Sequence, residues 1–193
     1  LYLSLLTLLF STVIPAEAQT ISFGASGLGG ITLVNPTSLQ FGPDDRLYVA
    51  QQDGSIFAYT TVRNGPNDYT VTNTETISVI KQKNPNYDDD GDFFNINNKR
   101  QITGIYVTGT AQFPVLYVTS SDYRIGGGPV GADKGLDTNS SVISRLTWTG
   151  TIWDHVQLVR GLPRSEENHS VNGMALDEAT NTLYVTVGGS TNA

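Results

Sequence analysis

Three segments of this chain have residue types and spacing that could do chemistry. Asn86-Tyr87-Asp88-Asp89-Asp90-Gly91-Asp92 sets short oxygen-bearing side chains at alternate positions around a glycine. This is the opening of a calcium loop, with Asn86, Asp88, Asp90 and Asp92 as candidate ligands. Asn97 stands where such a loop carries a bidentate glutamate, so an exposed acidic loop is the alternative. The second segment, Asn168-His169-Ser170, holds one of the two histidines. An imidazole whose ordinary pKa lies near 6.5 can take a proton at neutral pH, and a hydrogen-bonded structural histidine is the competing reading. The third, Arg124-Ile125-Gly126-Gly127-Gly128-Pro129-Val130-Gly131, is followed neither by a helical pattern nor by Lys-Ser/Thr, so it reads as a hairpin crown and not a phosphate loop.

Smaller features complete the inventory. His155 sits beside Asp154 in an outer strand candidate, a poor place for catalysis. Trp148 and Trp153 flank the turn Thr149-Gly150-Thr151, where cross-strand packing is favoured over a sugar-stacking platform. Asn139-Ser140-Ser141 and Asn168-His169-Ser170 match the glycosylation triplet, which matters only in a eukaryotic secretory pathway. There is no cysteine, which removes disulfides, thiolate metal sites and thiol nucleophiles together.

The elements that would position these residues are strands. Beyond Gln19 the apolar positions alternate with polar ones, in runs rich in Val, Ile, Thr and Tyr separated by Gly, Pro, Asn and Asp. No helical stripe is evident, so the fold class expected is all-β. The tripeptide Leu-Tyr-Val recurs at Leu47, Leu116 and Leu183, spaced 69 and 67 residues apart. Each copy follows a short strand and a turn, and the first two are followed by two further strand candidates. In the first unit these are Ser55 to Thr60 and Thr76 to Ile80; in the second, Val142 to Trp148 and Trp153 to Val159. Four antiparallel strands per unit is the grammar of a β-propeller blade. The expected blades are 32–80, 101–162 and an incomplete 168–193. That is about two and a half blades of a ring whose six would need roughly 400 residues. Asn35, Gln101 and His169, each four or five positions ahead of Leu39, Ile105 and Met174, are expected to face one channel mouth.

The first residues read differently. Leu3 to Ile14 is an apolar run too short to span a bilayer, which needs about twenty residues, and Ala16 and Ala18 form an A-x-A cleavage site before Gln19. Residues 1–18 are therefore expected to be a secretory signal peptide that lacks its start, and 19–193 a partial propeller domain, exported and without a membrane span after cleavage. The chain opens on Leu1 and its one methionine is Met174. A net charge of -7 and a pI near 4.6 argue against nucleic acid as a partner.

The run Asn168-His169-Ser170-Val171-Asn172-Gly173-Met174-Ala175-Leu176-Asp177, with Leu183-Tyr184-Val185-Thr186-Val187-Gly188-Gly189 after it, resembles the His-containing blade of the glucose/sorbosone dehydrogenase family, the soluble quinoprotein sugar dehydrogenases. Arg100-Gln101-Ile102-Thr103-Gly104-Ile105 is similar to that family's preceding blade. The resemblance covers roughly Gln101 to Gly189. It implies a six-bladed propeller that holds pyrroloquinoline quinone (PQQ) and oxidises a sugar or related alcohol, with His169 as general base, Gln101 as cofactor contact and calcium beside the quinone. Asn168 stands where the family has an acidic residue before the histidine, and Gly189 where an acidic residue often closes the second strand's turn. The alternative is a propeller without catalysis that binds carbohydrate or protein as one module among further extracellular modules.

Overall fold

A computed structural model describes residues 22–83, 99–123, 139–164 and 169–188, and the calcium-loop ligands Asn86, Asp88, Asp90 and Asp92, the glycine-rich crown and the signal segment lie outside them. The described residues are all-β, with 61% in strands and one short helix. A two-residue strand, β1 (Leu28–Gly29), precedes the first sheet, whose strands are β2 (Pro36–Phe41), β3 (Leu47–Gln51), β4 (Ile56–Gly65) and β5 (Asp68–Ile77). After helix α1 (Val79–Lys83) comes a second sheet of β6 (Gln101–Gly109), β7 (Pro114–Ser121), β8 (Ser141–Trp148) and β9 (Trp153–Leu162). A third sheet holds β10 (Val171–Asp177) and β11 (Thr182–Val187). Within each sheet the successive strands from β2, β6 and β10 onward pair antiparallel with their sequence neighbours.

The first sheet departs from expectation in its outer half. The expected strand Thr76 to Ile80 instead begins at Asp68 and ends at Ile77, while Ile80 is buried on α1. A tight turn at Pro66 and Asn67, with Asn67 at φ 58°, joins β4 and β5 into a long hairpin. Asparagine tolerates that left-handed conformation better than most residues. β1 adds a fifth strand, parallel to β5 at Tyr69 and Thr70. Five residues of α1 are too few for a helical stripe to register in the sequence.

The repeat is visible in the register. Each inner strand carries one extra residue near its start: at Thr37 in β2, at Thr103 in β6, and between Val171 and Met174 in β10. Such a bulge breaks alternation once and re-aims the side chains beyond it. Past it, Ser38 and Gln40 of β2 point forward onto β6, where Ser38 Oγ accepts from Ile105 N–H and Gln40 binds both the N–H and the C=O of Val107. Leu39 and Phe41 therefore point back. In the same way Ile105 and Val107 of β6 point back into the core beneath the first sheet. That core joins Tyr48, Ala50, Ile56, Ala58, Ile77 and Ile80 to Ile102, Leu116, Val118, Leu146 and Trp153. Gly104 faces forward, where an added Cβ would lie 2.6 Å from Asn172 O, and Thr119 Oγ1 donates to the same carbonyl at 2.9 Å. The three sheets thus stack face to face in sequence order, each inner strand beside the next.

Candidate functional site

Antiparallel succession puts the starts of β2, β6, β8 and β10 and the ends of β3, β7, β9 and β11 at one end of the stack. Buried polar side chains gather there, among them Gln51, Arg100, Gln101, Ser120, Asp122, Ser141 and Arg164. Buried polar groups demand partners, so this end is fixed by specific hydrogen bonds and not by apolar packing alone. Arg100 shows how. Its guanidinium is buried and donates through Nη2 to Ser120 O at 3.2 Å and to Ser140 O, and through Nε to Ser120 Oγ at 3.3 Å. Its backbone N–H reaches Asp53 O at 3.5 Å. One residue thereby ties the β3–β4 turn to β7 and β8.

The β3–β4 turn is held from its other side by α1. Asp53 accepts from the Ser55 N–H and the Ser55 hydroxyl, each at 3.0 Å, and Lys81 Nζ lies 3.4 Å from Asp53 Oδ2 and 2.9 Å from Ser55 Oγ. Burial alone would raise the Asp53 carboxyl, but the Ser55 hydrogen bonds and the Lys81 charge hold it below the usual carboxylate value. Gly54 makes the turn possible: it sits at φ +93°, and a Cβ there would come within 2.6 Å of Arg100 O.

A cleft of about 470 Å³ opens at this end, lined by Val34, Asn35, Gln51, Gln52, Asp53, Lys99 and Tyr123. Asn35, at φ 47°, accepts from Gln52 N–H at 3.0 Å through its carbonyl and donates through Nδ2 to Gln52 Oε1 at 3.3 Å. That side-chain pairing leaves one amide oxygen and one amide NH₂ side by side. Three amides, a carboxylate, an ammonium and a phenol make a wall that can both donate and accept, with one aromatic ring. A pocket of this size and mixture suits a small polyhydroxylated ligand.

The residues expected to meet at one mouth share the end but not the cleft. Asn35 lines it. Gln101 is buried at the start of β6 opposite Ser121, and His169 is half-buried just ahead of β10. Neither is among the cleft-lining residues. Gly188 has to be a glycine beside His169, because a Cβ there would lie 2.8 Å from the histidine backbone. The Nδ1 of His169 is buried and has no hydrogen-bond partner among the described residues. His155, by contrast, is placed structurally, with Nε2 3.2 Å from Ser144 Oγ. Trp148 and Trp153 pack on each other with ring centroids 5.5 Å apart and join the core, as packing tryptophans. Among the described residues no group of three or more His, Asp or Glu side chains is placed to hold a metal ion. No described helix is long and apolar enough to cross a membrane.

Sequence reasoning missed Gln51, Gln52, Asp53, Lys99 and Tyr123. The signal was present: Gln51 to Asp53 follow Leu47-Tyr48-Val49 almost directly, and Tyr123 follows the second copy at the same end of its strand. Comparison with known proteins finds no matching family model, no matching curated protein and no matching solved structure.

Proposed function

We propose that the chain forms part of a secreted β-propeller whose end-face cleft binds a sugar or related polyol, as one module of a larger extracellular protein. The observation that carries this reading is the cleft wall of Asn35, Gln51, Gln52 and Tyr123, which offers paired amides and one ring to hydroxyl groups. The repeated inner-strand bulge and the face-to-face stacking support the propeller architecture, and six blades is the count the family resemblance implies. Titration of the protein with neutral mono- and disaccharides, followed by calorimetry, tests the binding. The wild type is expected to bind at least one of them, with Gln52→Ala and Tyr123→Ala each weakening it about tenfold, equivalent to about 1.4 kcal/mol. Equal affinity in both variants and wild type would reject the cleft as the site.

The second reading is quinone-dependent oxidation of a sugar or alcohol, with His169 as general base and Gln101 as cofactor contact; the calcium loop of Asn86, Asp88, Asp90 and Asp92 is a separate candidate site outside the described residues. Its specific support is the unpartnered Nδ1 of His169, an imidazole not committed to a structural hydrogen bond among the described residues. Pyrroloquinoline quinone is a tricarboxylate. Among the described residues the cleft lining includes one lysine, Lys99, together with the carboxylate of Asp53, Lys81 is already paired to Asp53, and Arg100 and Arg164 are buried. That donor set does not match a trianion, and a neutral polyol fits it better. A dye-linked oxidation assay with added quinone and calcium separates the readings. Catalysis predicts turnover that His169→Ala abolishes; identical traces from wild type and variant would end it.

A further inference from the structure

Two triplets of the form Asn-x-Ser have a residue other than proline in the middle, Asn139-Ser140-Ser141 and Asn168-His169-Ser170. Asn35-Pro36-Thr37, beside the cleft, has suitable outer residues, but its central proline excludes it. Asn168 lies outside the described residues. Asn139 is described, and the fold treats the three residues of its triplet differently.

A glycan is bulky and hydrated, so the asparagine that bears it has to stay in water once the chain has folded. Asn139 does: it is exposed, in the turn that leads into β8. The two serines after it are taken into the fold. Ser140 is 4% exposed; its Oγ accepts from Asp122 N–H at 3.1 Å, and its carbonyl accepts from the buried guanidinium of Arg100. Ser141 is fully buried at the start of β8, where its Oγ donates to Pro163 O at 3.2 Å and accepts from Val171 N–H at 3.4 Å. Those two partners come 22 and 30 residues later in the chain, just after β9 and at the start of β10. The residue that would be modified therefore stays accessible, while the hydroxyl by which a transferase recognises the triplet is sealed in by later segments.

We infer that Asn139 carries an N-linked glycan, attached before β8 closes against β9 and β10. The step is a substitution at a sugar carbon, with a lipid-linked oligosaccharide pyrophosphate as donor. The bond from the sugar C1 to Asn139 Nδ2 forms, the bond from C1 to the pyrophosphate oxygen breaks, the lipid pyrophosphate leaves and one amide proton passes to a base of the transferase. Ser141 can be recognised only until Pro163 and Val171 reach its hydroxyl. After folding, the glycan stands at the end of the stack that holds the cleft, because the Ser140 hydroxyl is bound by Asp122, the residue before Tyr123. The inference rests on the secreted part of the proposed function and is independent of what the cleft binds.

Translation of the full chain behind a complete signal peptide, in the presence of microsomes from the endoplasmic reticulum, tests it. An Asn168→Gln background leaves Asn139 as the one acceptor triplet. Chains protected from added protease should migrate more slowly on a gel, the shift should disappear on treatment with an N-glycosidase, and Asn139→Gln should abolish it. Because the supplied leader guarantees entry, protected chains without an Asn139-dependent shift would overturn the site and leave the secreted reading standing. The order of events has its own readout. Purified folded chain, offered to solubilised transferase and donor, should stay unmodified over the time in which a peptide of residues 136–144 is glycosylated, since the chain must first open locally to free Ser141. Folded chain modified at the peptide's rate would overturn attachment before closure.

Discussion

Trp153 donates its indole N–H to Glu75 across 2.7 Å, joining β9 to β5 between residues 78 apart in sequence. The bond is one edge of a network on the seam between the first two sheets. Arg46 binds Glu75 through Nη1, Asp44 through Nε at 2.5 Å and the Tyr48 hydroxyl through Nη2 at 2.7 Å, and that hydroxyl donates to Asp44 at 2.9 Å. Burial and the hydrogen bond to Asp44 push the Tyr48 phenol above its usual value, so it stays a neutral donor.

This network should make Trp153 and Glu75 energetically coupled. Glu75→Gln is expected to cost about 1–3 kcal/mol, the range for losing a charge-assisted hydrogen bond, and Trp153→Phe about 1 kcal/mol for losing the N–H alone. In a double-mutant cycle by urea unfolding the two should fall short of additive by about 0.5 kcal/mol or more. Strict additivity would mean the bond holds nothing together.

Gly104→Ala tests the close approach of the second and third sheets. The new Cβ would lie 2.6 Å from Asn172 O and 2.8 Å from Thr119 Oγ1. The threonine can rotate, but the carbonyl belongs to a strand backbone. A loss of about 1–3 kcal/mol is expected from this overpacking, measured as a lower urea midpoint. Gly173→Ala, with the nearest atom at 3.5 Å, should be tolerated and is the control.

Gly54→Ala acts on the cleft. At φ +93° any side chain is strained, and the Cβ would press on Arg100 O at 2.6 Å. The β3–β4 turn must move, carrying Gln52 and Asp53 with it. Ligand affinity should fall at least tenfold, with a stability loss of about 1–3 kcal/mol. Unchanged affinity would show that the turn does not shape the ligand site.

How much of this was legible in the sequence differs by level. The strands of the second sheet were readable because Leu116 to Val118, Val142 to Trp148 and Trp153 to Val159 interleave β-branched and aromatic residues with polar ones between turn residues, although only Leu116 to Val118 alternates strictly in burial. The outer hairpin of the first sheet was not. Asp68 to Thr76 is nearly all Thr, Asn, Asp and Glu with one Tyr and one Val, exposed along much of its length, so no alternation marks a strand. β1 is set by pairing with β5, a tertiary fact. The site was half legible for the same reason: strand ends are local, but the meeting of Asn35, Gln52, Lys99 and Tyr123 depends on four stretches of chain brought together by stacking. Trp153 could be assigned to packing from its place opposite Trp148, yet its partner Glu75 lay in the strand that alternation missed.

The pH dependence of stability should carry a signature of His155. Burial is the largest influence and lowers its pKa, Lys83 lowers it further, and Asp154 opposes them only in part. The folded chain therefore holds His155 neutral at pH values where the unfolded chain, titrating near 6.5, has begun to take up a proton. With the folded pKa depressed, the contribution is fully present above the unfolded value and is lost progressively as pH falls through the folded one. His155→Gln keeps a polar partner for Ser144 Oγ and removes the titration. Below about pH 6.5 the wild type should lose stability more steeply than the variant, and above it the two unfolding curves should run parallel. Its imidazole resonance should titrate below the free-histidine value by NMR. Parallel stability profiles throughout the acid range would show that Lys83 and burial do not hold the ring neutral.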